Sequence, residues 1–288
     1  MTWIAFAIGS AFFAGLTAIL AKAGVAHTPS HLATGLRTIV VLVSAVGMVF
    51  VVGSQSTITR ISPDALLFLV LSGLATGASW LCYFRALQLG PVSGVTAVDK
   101  SSIVLTVLFA MALLGETDQL PTRLAGIALI TLGTYAMIER PKPGEPTAAG
   151  RGWLWYAAGS AIFAALTAIL GKVGIVEVES NLGTAIRTAV VLVMAWLVVF
   201  LTGEHHRLRA VPRRELWFIA ASGLATGASW LCYWRAMQEG PASLVAPIDR
   251  LSILVTVGFA VAVYRERLGS RAWAGLAAIV IGTLVMLI

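Results

Sequence analysis

The sequence predicts an all-α integral membrane fold of ten transmembrane helices in two inverted five-helix repeats. Three observations predict it. The 288-residue chain is 58% hydrophobic and 11% charged, where soluble domains carry roughly 25% charged residues. Apolar runs of about 20 residues follow one another, each long enough to cross a hydrocarbon layer of ~30 Å. The chain also repeats itself, a signal that outranks local pattern. Residues 72–83 read SGLATGASWLCY and recur letter for letter at 222–233. Residues 16–20 return as 166–170, Arg37 as Arg187, Asp99 as Asp249 and Glu116 as Glu266. Near the end of each copy the offset shortens by one, as in Gly126 with Gly275 and Gly133 with Gly282.

Helices are expected over about 3–25, 32–53, 64–88, 92–114 and 120–138, then 153–174, 182–203, 214–238, 242–264 and 270–288. Glycine and proline punctuate their ends, at Pro29, Gly53, Gly90-Pro91, Pro121, Gly203, Pro212 and Gly240-Pro241. Pro247 falls inside the ninth helix and predicts a kink. The polar stretch 139–152 (ERPKPGEPTAAGRG) reads as a linker between a first unit, 1–138, and a second, 153–288. Five helices per unit is odd, so the second copy enters the membrane from the opposite side. The first apolar run has no basic segment before it and is too long for a signal peptide, so it reads as a span.

The net charge of +7 reads as loop asymmetry rather than nucleic-acid binding. Lys and Arg outside the helices gather on the linker side, as in 207–214 with Arg207, Arg209, Arg213 and Arg214. The positive-inside rule then puts the linker in the cytoplasm and both termini outside the cell membrane. His205-His206 lies in this basic loop, which suits anionic lipid better than metal. Cys82 and Cys232 hold the same place in each repeat and read as small packing residues. The chain has no Walker A, GxSxG, HExxH or CxxC pattern, so no cofactor, metal or enzymatic role is expected.

The third helix carries a polar stripe at helical spacing, Ser72, Thr76, Ser79 and Tyr83, repeated as Ser222, Thr226, Ser229 and Tyr233. Gly73 and Gly77, and their copies Gly223 and Gly227, form GxxxG steps that let helices approach closely. Trp80 and Trp230 fall mid-helix, away from the headgroups. With Thr17 and Thr167 on the first helices, these give the expected substrate-binding set: Thr17, Thr76, Ser79, Trp80, Tyr83, Thr167, Thr226, Ser229, Trp230 and Tyr233.

Intramembrane charges are functional candidates by default. Arg37, Asp99 and Lys100 lie in the first unit; Arg187, Asp249 and Arg250 in the second. Two mirrored charged layers are expected, flanking a hydroxyl-lined middle. In each a gate forms, Asp99 with Arg37 or Lys100, and Asp249 with Arg187 or Arg250. Cations outnumber carboxylates in both layers, which would attract a carboxylate-bearing substrate. Static salt bridges that fix packing are the competing reading. Glu116 and Glu266 read as solvated caps at helix ends.

The stretch 85–93 (RALQLGPVS), followed by an apolar helix closing on Leu114-Gly115-Glu116, resembles the EamA domain of the drug/metabolite transporter superfamily. The second copy matches as 235–243 (RAMQEGPAS), closing on Tyr264-Arg265-Glu266, where only the glutamate is kept. The resemblance covers nearly the whole chain. It implies a central cavity lined by the first, third and fourth helices of each half. It also implies gradient-driven export or exchange of small metabolites, often amino acids. Half-length relatives of this kind would need to pair antiparallel, so here the internal repeat replaces a dimer. The expected partners are a small-molecule substrate and membrane lipid. Two alternatives remain: efflux of cationic drugs, and a membrane-embedded enzyme acting on lipid-linked substrates.

Overall fold

A computed structural model describes residues 2–24, 27–89, 95, 98–137, 152–262 and 269–287. Among them every regular element is helical. In chain order these are α1 (Thr2–Gly24), α2 (Ser30–Val52), α3 (Pro63–Leu89), α4 (Ser102–Leu114), α5 (Leu120–Met137), α6 (Gly152–Ile175), α7 (Ser180–Leu201), α8 (Arg213–Glu239), α9 (Ala242–Asp249), α10 (Ser252–Ala262) and α11 (Ser270–Leu287). The linker up to residue 151, the turn residues 90–94 and Glu266 lie outside the described residues.

Helix is the only open-ended structure that satisfies every backbone group within one segment in lipid. Among the described residues eight helices are long and apolar enough to cross a membrane, with α9 and α10 as far as Phe259 counted as one span. The described part of the fourth, α4, has 13 residues, and α5 carries Arg123 in its first turn. Among the described residues, helix ends fall at or beside Pro29, Gly53, Pro121, Gly203, Pro212 and Gly240-Pro241. Gly53 closes α2 and Gly115 closes α4, both left-handed at φ 80 and 69, a conformation glycine takes without strain. Two short 3-10 segments, Ser54–Arg60 and Glu204–Ala210, follow α2 and α7; the sequence pattern had not marked them.

The expected ninth helix is broken rather than kinked. It ends at Asp249 and restarts at Ser252. Across the break the bonds shorten to the i→i+3 pattern, Leu251 N to Ile248 O at 2.9 Å and Leu254 N to Leu251 O at 2.9 Å. The first half has the same two bonds at the same repeat positions, Ser101 N to Val98 O at 3.1 Å and Val104 N to Ser101 O at 2.9 Å. Pro247 has Ala97 as its copy. Proline alone therefore does not make the break, and both fourth helices carry it just after their charged pair.

Packing is reciprocal between halves. The first helix of each half lies on the third of the other, α1 on α8 and α6 on α3, while α2 meets α7 and α5 meets α11. The α5–α11 seam runs backbone to backbone. A Cβ on Gly133 would stand 2.5 Å from Gly275 O, and one on Gly282 2.8 Å from Gly126 O. The GxxxG steps do the same work, since a Cβ on Gly73 would stand 2.7 Å from Val190 Cβ and one on Gly223 2.7 Å from Val40 Cβ. Both cysteines are free. Cys232 Sγ lies 3.5 Å from a Cβ built on Gly9, and Cys82 Sγ 3.4 Å from one built on Gly159.

Glu116 is not a solvated cap. Its carboxylate accepts from Ala242 N at 2.9 Å and Ser243 N at 2.8 Å, capping α9 of the other half. Pro241, the N-cap residue there, makes no side-chain cap hydrogen bond, so the orphan N–H groups need an acceptor from elsewhere. Arg123 is 5% exposed and donates to Ser243 Oγ at 2.7 Å. Lys172 closes the end of α8 by donating to Met237 O and to Gly240 O at 2.6 Å.

Candidate functional site

The break after Asp249 leaves its carboxylate at the C-terminal end of α9. The helix dipole disfavours a negative charge there, so it needs donors. Ser10 Oγ on α1 donates to Asp249 Oδ1 at 2.6 Å, the length of a charge-assisted bond. Ser229 on α8 donates to Ser10 O at 3.1 Å, with the two hydroxyls 3.2 Å apart. The other half repeats the constellation: Ser160 Oγ to Asp99 Oδ1 at 2.7 Å, Ser79 Oγ to Ser160 O at 3.0 Å, and 3.3 Å between the hydroxyls. Each carboxylate is thus held by a serine of the opposite half.

One of these clusters opens on a cavity of about 230 Å³. Asp249, Ser10 and Ser229 form one end. Thr76, Thr167 and Arg187 form the other, and Trp230, Tyr233 and Trp234 supply aromatic walls. Arg187 is 2% exposed. Its Nε donates to Ser72 Oγ at 3.2 Å and its Nη2 to Thr76 Oγ1 at 3.0 Å. The guanidinium lies 4.2 Å from the Trp234 ring centroid and 5.4 Å from that of Trp230, a cation–π arrangement. Trp234 reaches this place because residue 171 is glycine: a Cβ there would stand 2.2 Å from the indole.

Of the expected substrate set, Thr76, Thr167, Ser229, Trp230 and Tyr233 line this cavity. Ser79 sits in the Asp99 cluster. Thr17 accepts from Thr226 Oγ1 at 3.2 Å, beside the cavity rather than on its wall. Tyr83 packs with Ala86, Val95 and Ala157. Trp80 is half-buried and stands off the cavity wall. Ser10, Ser160 and Trp234 were missed. The two serines hold the same repeat position in Gly9-Ser10-Ala11 and Gly159-Ser160-Ala161, so aligning the copies fully would have marked them. Trp234, whose copy is Phe84, left no such trace.

The charged residues expected to form gates make these contacts. Asp249 and Arg187 face one cavity, but their hydrogen bonds go to hydroxyls. Arg250 Nη2 donates to Ser102 Oγ at 3.3 Å, which brings the two broken fourth helices together. Lys100 interacts electrostatically with Arg250, Asp99 and Asp249.

A multi-pass helical membrane protein whose halves jointly enclose a charged, hydroxyl-lined cavity has the build of a transporter. The sequence matches the EamA-like transporter family over residues 1–138 and again over 151–288, and the chain belongs to that family. A curated protein of Sinorhizobium sp, described as an uncharacterized transporter in the cobO 3' region, is 44% identical over 134 residues. That match takes 46% of this chain and 95% of the other. A solved structure described only as a crystal structure of a protein superposes with a TM-score of 0.79 at 19% identity. It covers 99% of this chain and 96% of its own, a likeness of fold.

Proposed function

We propose that this membrane transporter carries small carboxylate-bearing metabolites such as amino acids. It works by alternating access between two inverted five-helix halves, 1–138 and 153–288, that cross the cell membrane ten times. One observation carries the substrate class. Arg187 is a buried guanidinium at the wall of a central cavity, and its hydrogen-bond partners there are neutral hydroxyls. An unbalanced buried cation is costly, and a substrate carboxylate balances it through a bidentate pair. Asp249, at the far end of the same cavity, suits an ammonium. The reciprocal pairing of first and third helices supports an internal two-fold relation. A relative of about one repeat's length supports a monomer whose fused halves stand in for a dimer. The basic stretch 207–214 supports a topology with the linker in the cytoplasm and the termini outside.

Counterflow in proteoliposomes tests it, with labelled amino acids against cationic dyes. The expected result is saturable exchange of one amino-acid group, with KM raised 10- to 100-fold in Arg187→Gln, the loss of about 1.5–3 kcal/mol of charged hydrogen bonding. Dye flux without amino-acid exchange moves the assignment to efflux of cations, drawn by Asp249 and the aromatic walls.

A further inference from the structure

Arg37 and Arg187 have the same backbone surroundings and different side-chain ones. Arg187 O lies 3.0 Å from a Cβ built on Gly73, and Arg37 O 3.0 Å from one built on Gly223. The guanidinium of Arg187 is tied to Ser72 and Thr76 and covered by Trp234. Ser222, the copy of Ser72, donates to its own Ile219 O at 2.8 Å, and Thr226 to Ser222 O at 2.7 Å. Arg37 donates to neither among the described residues. It lines a separate cleft of about 200 Å³ with Ala21, Ser30, Thr34 and Ser222. The difference is written in sequence, since Ala21 stands where the other half has Gly171.

The cleft extends to the N-terminal end of α2. Ser30, first residue of α2, is exposed at its rim, and Arg37 lies seven residues on, ~10 Å deeper along the helix. Two carboxylates stand at that end of α2 and both are committed: Glu204 accepts from Leu32 N at 2.9 Å and faces His31, and Glu215 accepts from Thr28 N at 2.8 Å, Thr28 Oγ1 at 2.5 Å and His27. Along α8, Ser222 belongs to the cleft and Ser229 to the central cavity. Between them Thr226 donates to Thr17 across the halves at 3.2 Å, so one hydroxyl pair parts the two spaces.

We propose that the Arg37 cleft is a second carboxylate-binding site, a vestibule that holds the substrate's carboxylate before it passes the Thr17–Thr226 pair. This rests on the transport reading above, but its test does not need transport. A guanidinium with no anion bonded to it among the described residues pairs with a carboxylate in two parallel bonds, and it reacts with phenylglyoxal when unpaired. The protein is placed in phosphatidylcholine nanodiscs, and labelling of Arg37 and Arg187 is followed by peptide mass spectrometry. Sodium butyrate is the probe, with sodium chloride at equal ionic strength as control.

Arg37 is expected to label faster than Arg187, and butyrate at ten times its Kd to slow Arg37 about tenfold by mass action. Arg37 labelling no faster than Arg187, or indifferent to butyrate, overturns the proposal. Nanodiscs containing phosphatidylglycerol separate the other source of an anion. If that lipid protects Arg37 and butyrate adds nothing, the cleft holds a lipid headgroup and the proposal is overturned. Amino-acid exchange without butyrate protection sinks the vestibule alone. Protection without exchange keeps the site and sinks the transport reading.

Discussion

Arg187 and Arg37 hold the same station in the two repeats, and the bundle treats them differently. Each carbonyl stands 3.0 Å from a Cβ built on the facing glycine. One guanidinium is then bound by two hydroxyls under an indole, while the other faces a cleft. The halves agree elsewhere: the serine–aspartate clusters match to within 0.1 Å in each of three distances. The central clusters are alike in both halves, and the two arginines part company where Gly171 stands against Ala21 and Trp234 covers Arg187.

The sharpest way to break this comparison is to exchange the small residues. Helix propensity alone makes glycine-to-alanine favourable by about 1 kcal/mol. Gly171→Ala should instead destabilise by about 1–3 kcal/mol through overpacking, because the new methyl would overlap Trp234. Ala21→Gly should lose only about 1 kcal/mol. Thermal unfolding in detergent reads both, and a stabilised Gly171→Ala would mean that Trp234 does not lie over that glycine.

The stripe serines give a smaller contrast. Ser72→Ala removes a donor to Thr167 O at 2.8 Å and an acceptor for Arg187, and should cost about 1–3 kcal/mol because a group bonded to a buried charge is lost. Ser222→Ala removes a bond to its own helix and should stay within about 0.5 kcal/mol. Equal losses would show that the halves are alike at this level. The smallest expected difference is between Ser10→Ala and Ser160→Ala. Each loses one bond to an aspartate, about 1.5–3 kcal/mol, and their melting shifts should agree to about 0.5 kcal/mol. A larger gap would carry the asymmetry of the arginines into the centre.

Much of the helical frame was legible in the sequence because its signals are local. Apolar length, terminal glycines and the doubled 72–83 motif placed every helix end outside the fourth helices to within two residues of the described ones. What escaped was contact across the halves. Glu116 looked like a solvated end because its partners, Ala242 N and Ser243 N, lie over a hundred residues away. Asp99 reads as a partner for Arg37 or Lys100, and Asp249 for Arg187 or Arg250, because charges are the residues a sequence lets one count by depth. The donors to both aspartates turned out to be serines, which carry no charge to count. The polar stripe led to the cavity because hydroxyls in lipid must face one another, whereas Trp234 was one apolar residue among many.

The α5–α11 seam and the crossed serine–aspartate clusters have one more consequence. Every one of these contacts joins the first half to the second. A chain of a single repeat would have to find all of them in another molecule, and its assembly would fall away on dilution. Joining the halves makes that encounter intramolecular, at an effective concentration fixed by the linker. The cavity of the joined chain draws its walls from both halves of one molecule.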